Sequence, residues 1–323
     1  MPFTPDRPHG ARRGPLAASA PRGRETGAVD CAPPDAGLRP GTAQKIVWHD
    51  PQNRSRTDLG LVYFHGFSAS RGEIAPVCDR LAARLGANLF YTRLAGHGRD
   101  GGALARATAA RWMADAREAV AVGRRLGRRV AIFGTSTGGT LAVWAAAQPD
   151  LAPHIAALVL MSPNFGPRHP LAGLVQHPWL HPLAVRLIRG WRRFPAANPG
   201  HERVWTLAYP WRAVLPMLTL VHRVARIDPG RIRVPVLLFY HAGDRVVRID
   251  RMRRFYQGLG GFKRRWRIAR TGHPGRHILA GEIFAPAMTR PVAELAAAFL
   301  RRPECAVAGR EAIDFNCQAG GPQ

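Results

Sequence analysis

Short, uninterrupted apolar runs alternate along the chain with longer stretches in which apolar residues recur every three or four positions. The run "LGLVYFHGF" (59 to 67) reads as a buried strand entering a glycine turn, and "EIAPVCDRLAARLG" (73 to 86) as an amphipathic helix. A second strand and loop follow at "ANLFYTRLAGHG" (87 to 98), then a helix at 109 to 127, a strand at "RRVAIFG" (128 to 134) and a helix at "TGGTLAVWAAAQ" (137 to 148). Further strands are predicted at "IAALVLMSP" (155 to 163), "VPVLLFYHAGD" (234 to 244) and "RRWRIA" (264 to 269), with a closing helix at "PVAELAAAFLRR" (291 to 302). Strands that alternate with helices and are apolar along their whole length imply a mostly parallel central sheet covered by helices on both faces.

One region breaks this rhythm. From about Asn164 to Asp228 the chain is dense in Pro, Trp, His and Arg between two well-formed strands, which predicts an insertion over the carboxyl edge of the sheet, where open α/β sheets place their ligand crevice. Trp179, Trp191, Trp205, Trp211 and Tyr209 are its candidates for an apolar lid or for the insertion's own small core. Residues 1 to 43 and 303 to 323 lack hydrophobic periodicity and are expected to form disordered tails flanking a catalytic domain at 44 to 302.

Composition alters this picture in few places. Apolar residues make up 46% of the 323 positions, enough for a sizeable core, and no run approaches the length of a membrane span. The net charge of +26 raises the question of polyanions, but Lys45 and Lys263 are the only lysines. An arginine excess spread along the chain, together with abundant Ala, Gly and Pro, fits a coding bias. It implies solvated basic faces with nonspecific attraction to anionic membrane surfaces, and no specific nucleic-acid site. Cys31, Cys78, Cys305 and Cys317 are widely separated, without metal-ligand or disulfide-framework spacing. His177 and His181 stand four apart, but prolines interrupt the stretch and no carboxylate accompanies them. The segment 1 to 43 lacks the apolar core of a signal peptide, which makes the cytoplasm the expected location.

The candidate chemistry centres on "FGTSTGG" (133 to 139), where the predicted strand meets the predicted helix. A nucleophile on so sharp a corner needs small neighbours, which Gly134, Gly138 and Gly139 supply around Ser136. A serine hydroxyl requires a base, and the base an orienting acid. Asp244 lies just past a predicted strand, with Asp250 as its substitute. The loop "TGHPGRHILAGE" offers His277, which precedes an apolar run, and His273 as its alternative; Arg276 and Glu282 read as neighbouring loop groups. The oxyanion of such a reaction needs backbone donors. The residue after the serine, Thr137, supplies one, and "FHGFSAS" (64 to 70) supplies the other at Phe67, with Gly66 allowing the backbone to turn; His65 shapes this loop.

With these residues assembled, roughly residues 45 to 302 resemble the α/β-hydrolase superfamily, particularly bacterial carboxylesterases and monoacylglycerol-lipase-like hydrolases. "FHGFSAS" is similar to their oxyanion loop, "LAGHGRDGG" (94 to 102, carrying His97) to their G-H-G turn, "FGTSTGG" to their nucleophile elbow, and "AGDRVV" and "RHILAGE" to the loops bearing acid and histidine. The resemblance implies a Ser136, Asp244, His277 triad, an oxyanion hole at Phe67 and Thr137, no cofactor, and a small-molecule ester substrate; the aromatic, proline-rich insertion favours an apolar acyl group of short to medium length or a monoacylglycerol. Threonines on both sides of the serine, Thr135 and Thr137, depart from many relatives. Acyl transfer, aminopeptidase activity and carbon-carbon hydrolysis run on the same triad, and a noncatalytic binding protein on this scaffold is the reading outside enzymology.

Overall fold

The computed structural model describes residues 37 to 168 and 190 to 307. Trp179, His177 and His181, Cys31 and Cys317, and most of the two expected tails lie outside the described residues.

Seven strands form one sheet: β1 (Lys45–Val47), β2 (Thr57–Phe64), β3 (Asn88–Tyr91), β4 (Gly127–Thr135), β5 (Ile155–Met161), β8 (Val236–Tyr240) and β9 (Lys263–Arg267), in the order β1-β3-β2-β4-β5-β8-β9. Every pairing is parallel except that of β1 with β3. The central strands carry apolar residues on both faces because both faces are covered. Val62, Ile132 and Leu158 point to one core with α3 (Ala109–Leu126) and α4 (Thr137–Ala146); Leu61, Ala131 and Val159 point to the other with α1 (Val77–Leu85) and α8 (Pro286–Leu300). The fold is the α/β-hydrolase arrangement, an open sheet between helical layers.

Four segments differ from the sequence expectation. Residues 37 to 43 do not belong to a tail: Thr42 is buried, the Arg39 backbone N–H donates to the Gly98 carbonyl, and the Arg39 guanidinium donates to the carbonyl of Trp205 at 2.7 Å. At the other end, α9 (Pro303–Val307) buries Cys305, whose carbonyl accepts from Arg129. The helix expected from Glu73 begins only at Val77, preceded by a 3-10 turn at Arg71–Ile74, since Pro76 has no N–H to carry a helix through that point. Finally, α7 (Ile249–Gly258) escaped the periodicity reading because it is polar except for a narrow stripe around the buried Met252.

Between β5 and β8 the described chain forms the antiparallel pair β6 (Trp191–Arg193) and β7 (Ala208–Pro210), the short α5 (Pro199–Val204) and then α6 (Leu215–Ala225). Leu220 and Val224 of α6 are buried in the main core beside α4, so the second half of the expected insertion is a crossover helix that closes the β5–β8 connection. Trp205 and Tyr209 are buried and Trp191 is half exposed. No described helix is long and apolar enough to cross a membrane.

Candidate active site

The site is built where β2, β4, β5 and β8 end. At the end of β4 the chain turns into α4 through Ser136, which adopts φ 52° and ψ −116°. A non-glycine residue there carries about 1–3 kcal/mol of strain, which the surroundings must hold. Three backbone hydrogen bonds do so: the Ser136 N–H donates to Met161, and its carbonyl accepts from Thr140 and Asn164. The elbow also needs its glycines. A Cβ on Gly138 would lie 2.1 Å from the Phe64 carbonyl oxygen, and one on Gly134 would lie 2.7 Å from the Gly138 carbonyl oxygen.

Asp244 follows β8 and is fully buried. Its Oδ1 accepts from the N–H groups of Val246 (2.7 Å) and Val247 (3.0 Å), and its Oδ2 lies 2.7 Å from His277 Nδ1. Two backbone donors on one oxygen fix the carboxylate's orientation. The other oxygen, an acceptor, fixes the imidazole proton on Nδ1 and leaves Nε2 as the ring's lone pair. His277 Nε2 is buried and has no hydrogen-bond partner among the described residues, while His277 and Ser136 line the same cavity.

The alternatives are disposed differently. Asp250 is exposed and paired with Arg248 and Arg254, which hold its carboxyl well below the usual range. His273 Nδ1 accepts from the N–H groups of Gly275 and His277, and burial lowers its ring to about 4, so it is a neutral brace for the loop that carries His277. His65 is buried, accepts from the Leu94 N–H through Nε2, and is likewise lowered to about 4 by burial. Its Nδ1 lies 2.9 Å from the Gly66 carbonyl, so the ring braces its own loop. His97 packs against it with ring centroids 4.7 Å apart.

Phe67 and Thr137 both line the cavity. The Phe67 ring is held edge-on by Tyr209, Trp112 and His97, which fixes the peptide that precedes it. Its N–H has no acceptor among the described residues, and Thr137, as first residue of α4, has no intrahelical acceptor for its own. Both donors belong to residues that line the cavity with Ser136, one of them at a helix N-terminus.

The cavity measures about 880 Å³. Trp205, Leu207, Tyr209, Met217 and Phe284 give it apolar walls, and Arg168, Arg192 and Arg245 contribute cationic groups. No group of three or more His, Cys, Asp or Glu suited to a metal occurs among the described residues. Sequence reasoning missed one lining residue of consequence, Glu73, to which it gave no role beyond opening a predicted helix.

These elements define an α/β-hydrolase of the serine-hydrolase type. Residues 56–274 match the serine aminopeptidase family S33 (Hydrolase_4), and the chain belongs to that family; it is a hydrolase. Among solved structures it is similar to one described with LipS and LipT, two metagenome-derived lipolytic enzymes (TM-score 0.66, 20% identity, 82% of this chain and 99% of that one). It is also similar to a monoacylglycerol lipase of Paleococcus ferrophilus (TM-score 0.57, 16% identity, 80% and 97%). A third is a soluble variant of monoglyceride lipase from Saccharomyces cerevisiae in complex with a substrate analogue (TM-score 0.56, 14% identity, 80% and 90%). At these identities the likeness is one of fold. No curated protein matches the sequence.

Proposed function

We propose that the protein hydrolyses carboxylic esters with apolar acyl groups of short to medium length, or monoacylglycerols, through an acyl-enzyme on Ser136. His277 Nε2 takes the serine proton as Oγ attacks the carbonyl carbon, and Asp244 stabilises the imidazolium that forms. The N–H groups of Phe67 and Thr137 receive the oxyanion. Collapse of the tetrahedral intermediate expels the alcohol, which takes the proton from His277. A water molecule, deprotonated by His277, then releases the acid. The observation that carries this reading is the 2.7 Å contact of His277 Nδ1 with a fully buried, doubly anchored carboxylate, beside an Nε2 without a partner among the described residues, in the cavity that holds a strained serine.

The family's name suggests amide hydrolysis at a peptide N-terminus as the other reading. Recognition of a substrate ammonium calls for carboxylates facing the substrate. Among the described cavity residues Glu73 is the single carboxyl, whereas the arginines supply positive charge and the walls are apolar. This balance favours an ester with an apolar acyl chain. The test is a panel of p-nitrophenyl esters from acetate to decanoate beside aminoacyl p-nitroanilides. The expected result is ester turnover with kcat/KM rising from acetate to a medium chain. Turnover confined to the anilides, or no gain over acetate, overturns the reading.

A further inference from the structure

Glu73 is a titratable residue in the cavity for which the ester-cleaving sequence above has no use. It is 1% exposed, and Oε1 accepts both the Gly66 N–H (2.5 Å) and the Tyr63 hydroxyl (2.6 Å), whose oxygen is also 3.1 Å from Thr135 Oγ1. Oε2 has no hydrogen bond among the described residues. Gly66 is the residue before Phe67, so Glu73 grips the peptide chain one step from the donor assigned to the oxyanion. A Cβ on Gly66 would lie 2.9 Å from Glu73 Oε2 and 3.4 Å from Ser136 Cβ, which puts the carboxyl and the nucleophile on two sides of one point.

The groups facing Glu73 offer it no counter-ion. Tyr63 on β2 and Cys78 on α1 are buried, and burial pushes both well above their usual values, so both are neutral. Beyond them Asp79 accepts from the Tyr91 hydroxyl, with the Arg71 guanidinium over the Tyr91 ring. His201, His273, His277, Arg168, Arg192 and Arg245 line the same cavity, and none of them is hydrogen-bonded to Glu73 among the described residues. A carboxyl buried without a cation favours its neutral form; burial raises this one to about 8, against the opposing effect of its two hydrogen bonds.

We propose that Glu73 is a positioning residue of the hydrolytic site: a neutral carboxylic acid that anchors the oxyanion loop through Gly66, and whose ionisation disables the site at alkaline pH. The inference rests on the ester-hydrolase reading. The neutral acid holds the loop without placing charge near the tetrahedral intermediate. Loss of its proton puts a carboxylate one residue from the donor assigned to the oxyanion, and a buried like charge opposes the negative charge that develops on the substrate oxygen. Thr135 takes part through Tyr63, whose oxygen lies 3.1 Å from its Oγ1.

The experiment measures the rate of Ser136 labelling by a fluorophosphonate between about pH 6 and pH 10, with circular dichroism at each pH to confirm the fold. Wild type is expected to lose reactivity above a midpoint near 8. Glu73→Gln keeps an acceptor for Gly66 and Tyr63 but has no proton to lose, so its rate should show no alkaline decline. Glu73→Ala releases the loop, and its rate should fall roughly ten- to a hundredfold at every pH. A wild-type rate without decline up to pH 10, or a Glu73→Gln profile with the same midpoint as wild type, overturns the inference while leaving the serine-hydrolase reading intact. Folded wild type that does not label at any pH overturns both.

Discussion

Substitution of Asp244 by Asn tests the proposed triad with little change in shape. Two N–H groups, from Val246 and Val247, converge on Oδ1. An asparagine must therefore keep its carbonyl oxygen in that place, because a flipped amide would set its NH2 against two donors and leave them unsatisfied at about 1–3 kcal/mol each. The amide NH2 is then forced to face His277 Nδ1, which must accept. The imidazole proton moves to Nε2, and the ring offers Ser136 a donor where a base is required. With the correct tautomer disfavoured by several kcal/mol, kcat for a short ester should fall by roughly 10³- to 10⁴-fold, while KM stays within about threefold because Asp244 does not line the cavity. Stopped assays with a p-nitrophenyl ester, with near-UV circular dichroism as the control for folding, read both quantities. A folded Asp244→Asn protein within tenfold of wild-type kcat would refute the reasoning.

Other outcomes follow from the same geometry. Ser136→Gly removes the Cβ from a residue at φ 52° and should stabilise the fold by about 1 kcal/mol in urea denaturation while abolishing esterase activity; unchanged or lowered stability would mean that the elbow holds no strain. Gly138→Ala drives a Cβ to 2.1 Å from the Phe64 carbonyl and should cost about 3 kcal/mol or more, read as a lowered urea midpoint; a midpoint equal to wild type contradicts the close approach. His65 and His273 are both lowered to about 4 in the folded protein, so between that pH and about 6.5 the unfolded chain binds protons that the native one does not. Their contribution is complete above about 6.5 and is lost as pH falls toward 4, by up to about 2.7 kcal/mol per pH unit for the two groups. Urea midpoints for wild type and a His65→Gln variant at pH 7 and 5 check this: the wild type should lose more on acidification than the variant, and parallel losses count against it.

Much of the fold was legible because its strands are buried on both sides. A parallel strand covered by helices on each face is apolar along its whole length, and β2, β4, β5 and β8 stand out as such runs. The strand-to-helix corner at Ser136 was legible for a different reason: Gly134 and Gly138 are there because backbone from another element occupies the space of their side chains. What escaped depends on partners distant in sequence. Residues 37 to 43 have the composition of a linker, yet Arg39 reaches Trp205 across the cavity-bearing end of the molecule. The strand β1 has three residues, too few for any alternation to register, and is fixed by its pairing with β3. Glu73 received no role from the sequence, since an isolated glutamate before an apolar stripe carries no sign of its direction. Its burial follows from Pro76 delaying the helix and from the Gly66 loop folding over it. The choice between His273 and His277 depended on which ring meets Asp244. That is a matter of loop geometry, and the sequence placed both within four residues.

The central claim, that Ser136 is a nucleophile activated by His277, is tested most directly by reacting the protein with a fluorophosphonate at neutral pH and locating the adduct by peptide mass spectrometry in wild type, Ser136→Ala, His277→Ala and His273→Ala. The account predicts one adduct per chain on Ser136, none in Ser136→Ala, a labelling rate reduced by orders of magnitude in His277→Ala, and an adduct retained in His273→Ala. Folded wild type without an adduct, or an adduct whose formation depends on His273 and survives the loss of His277, would contradict it.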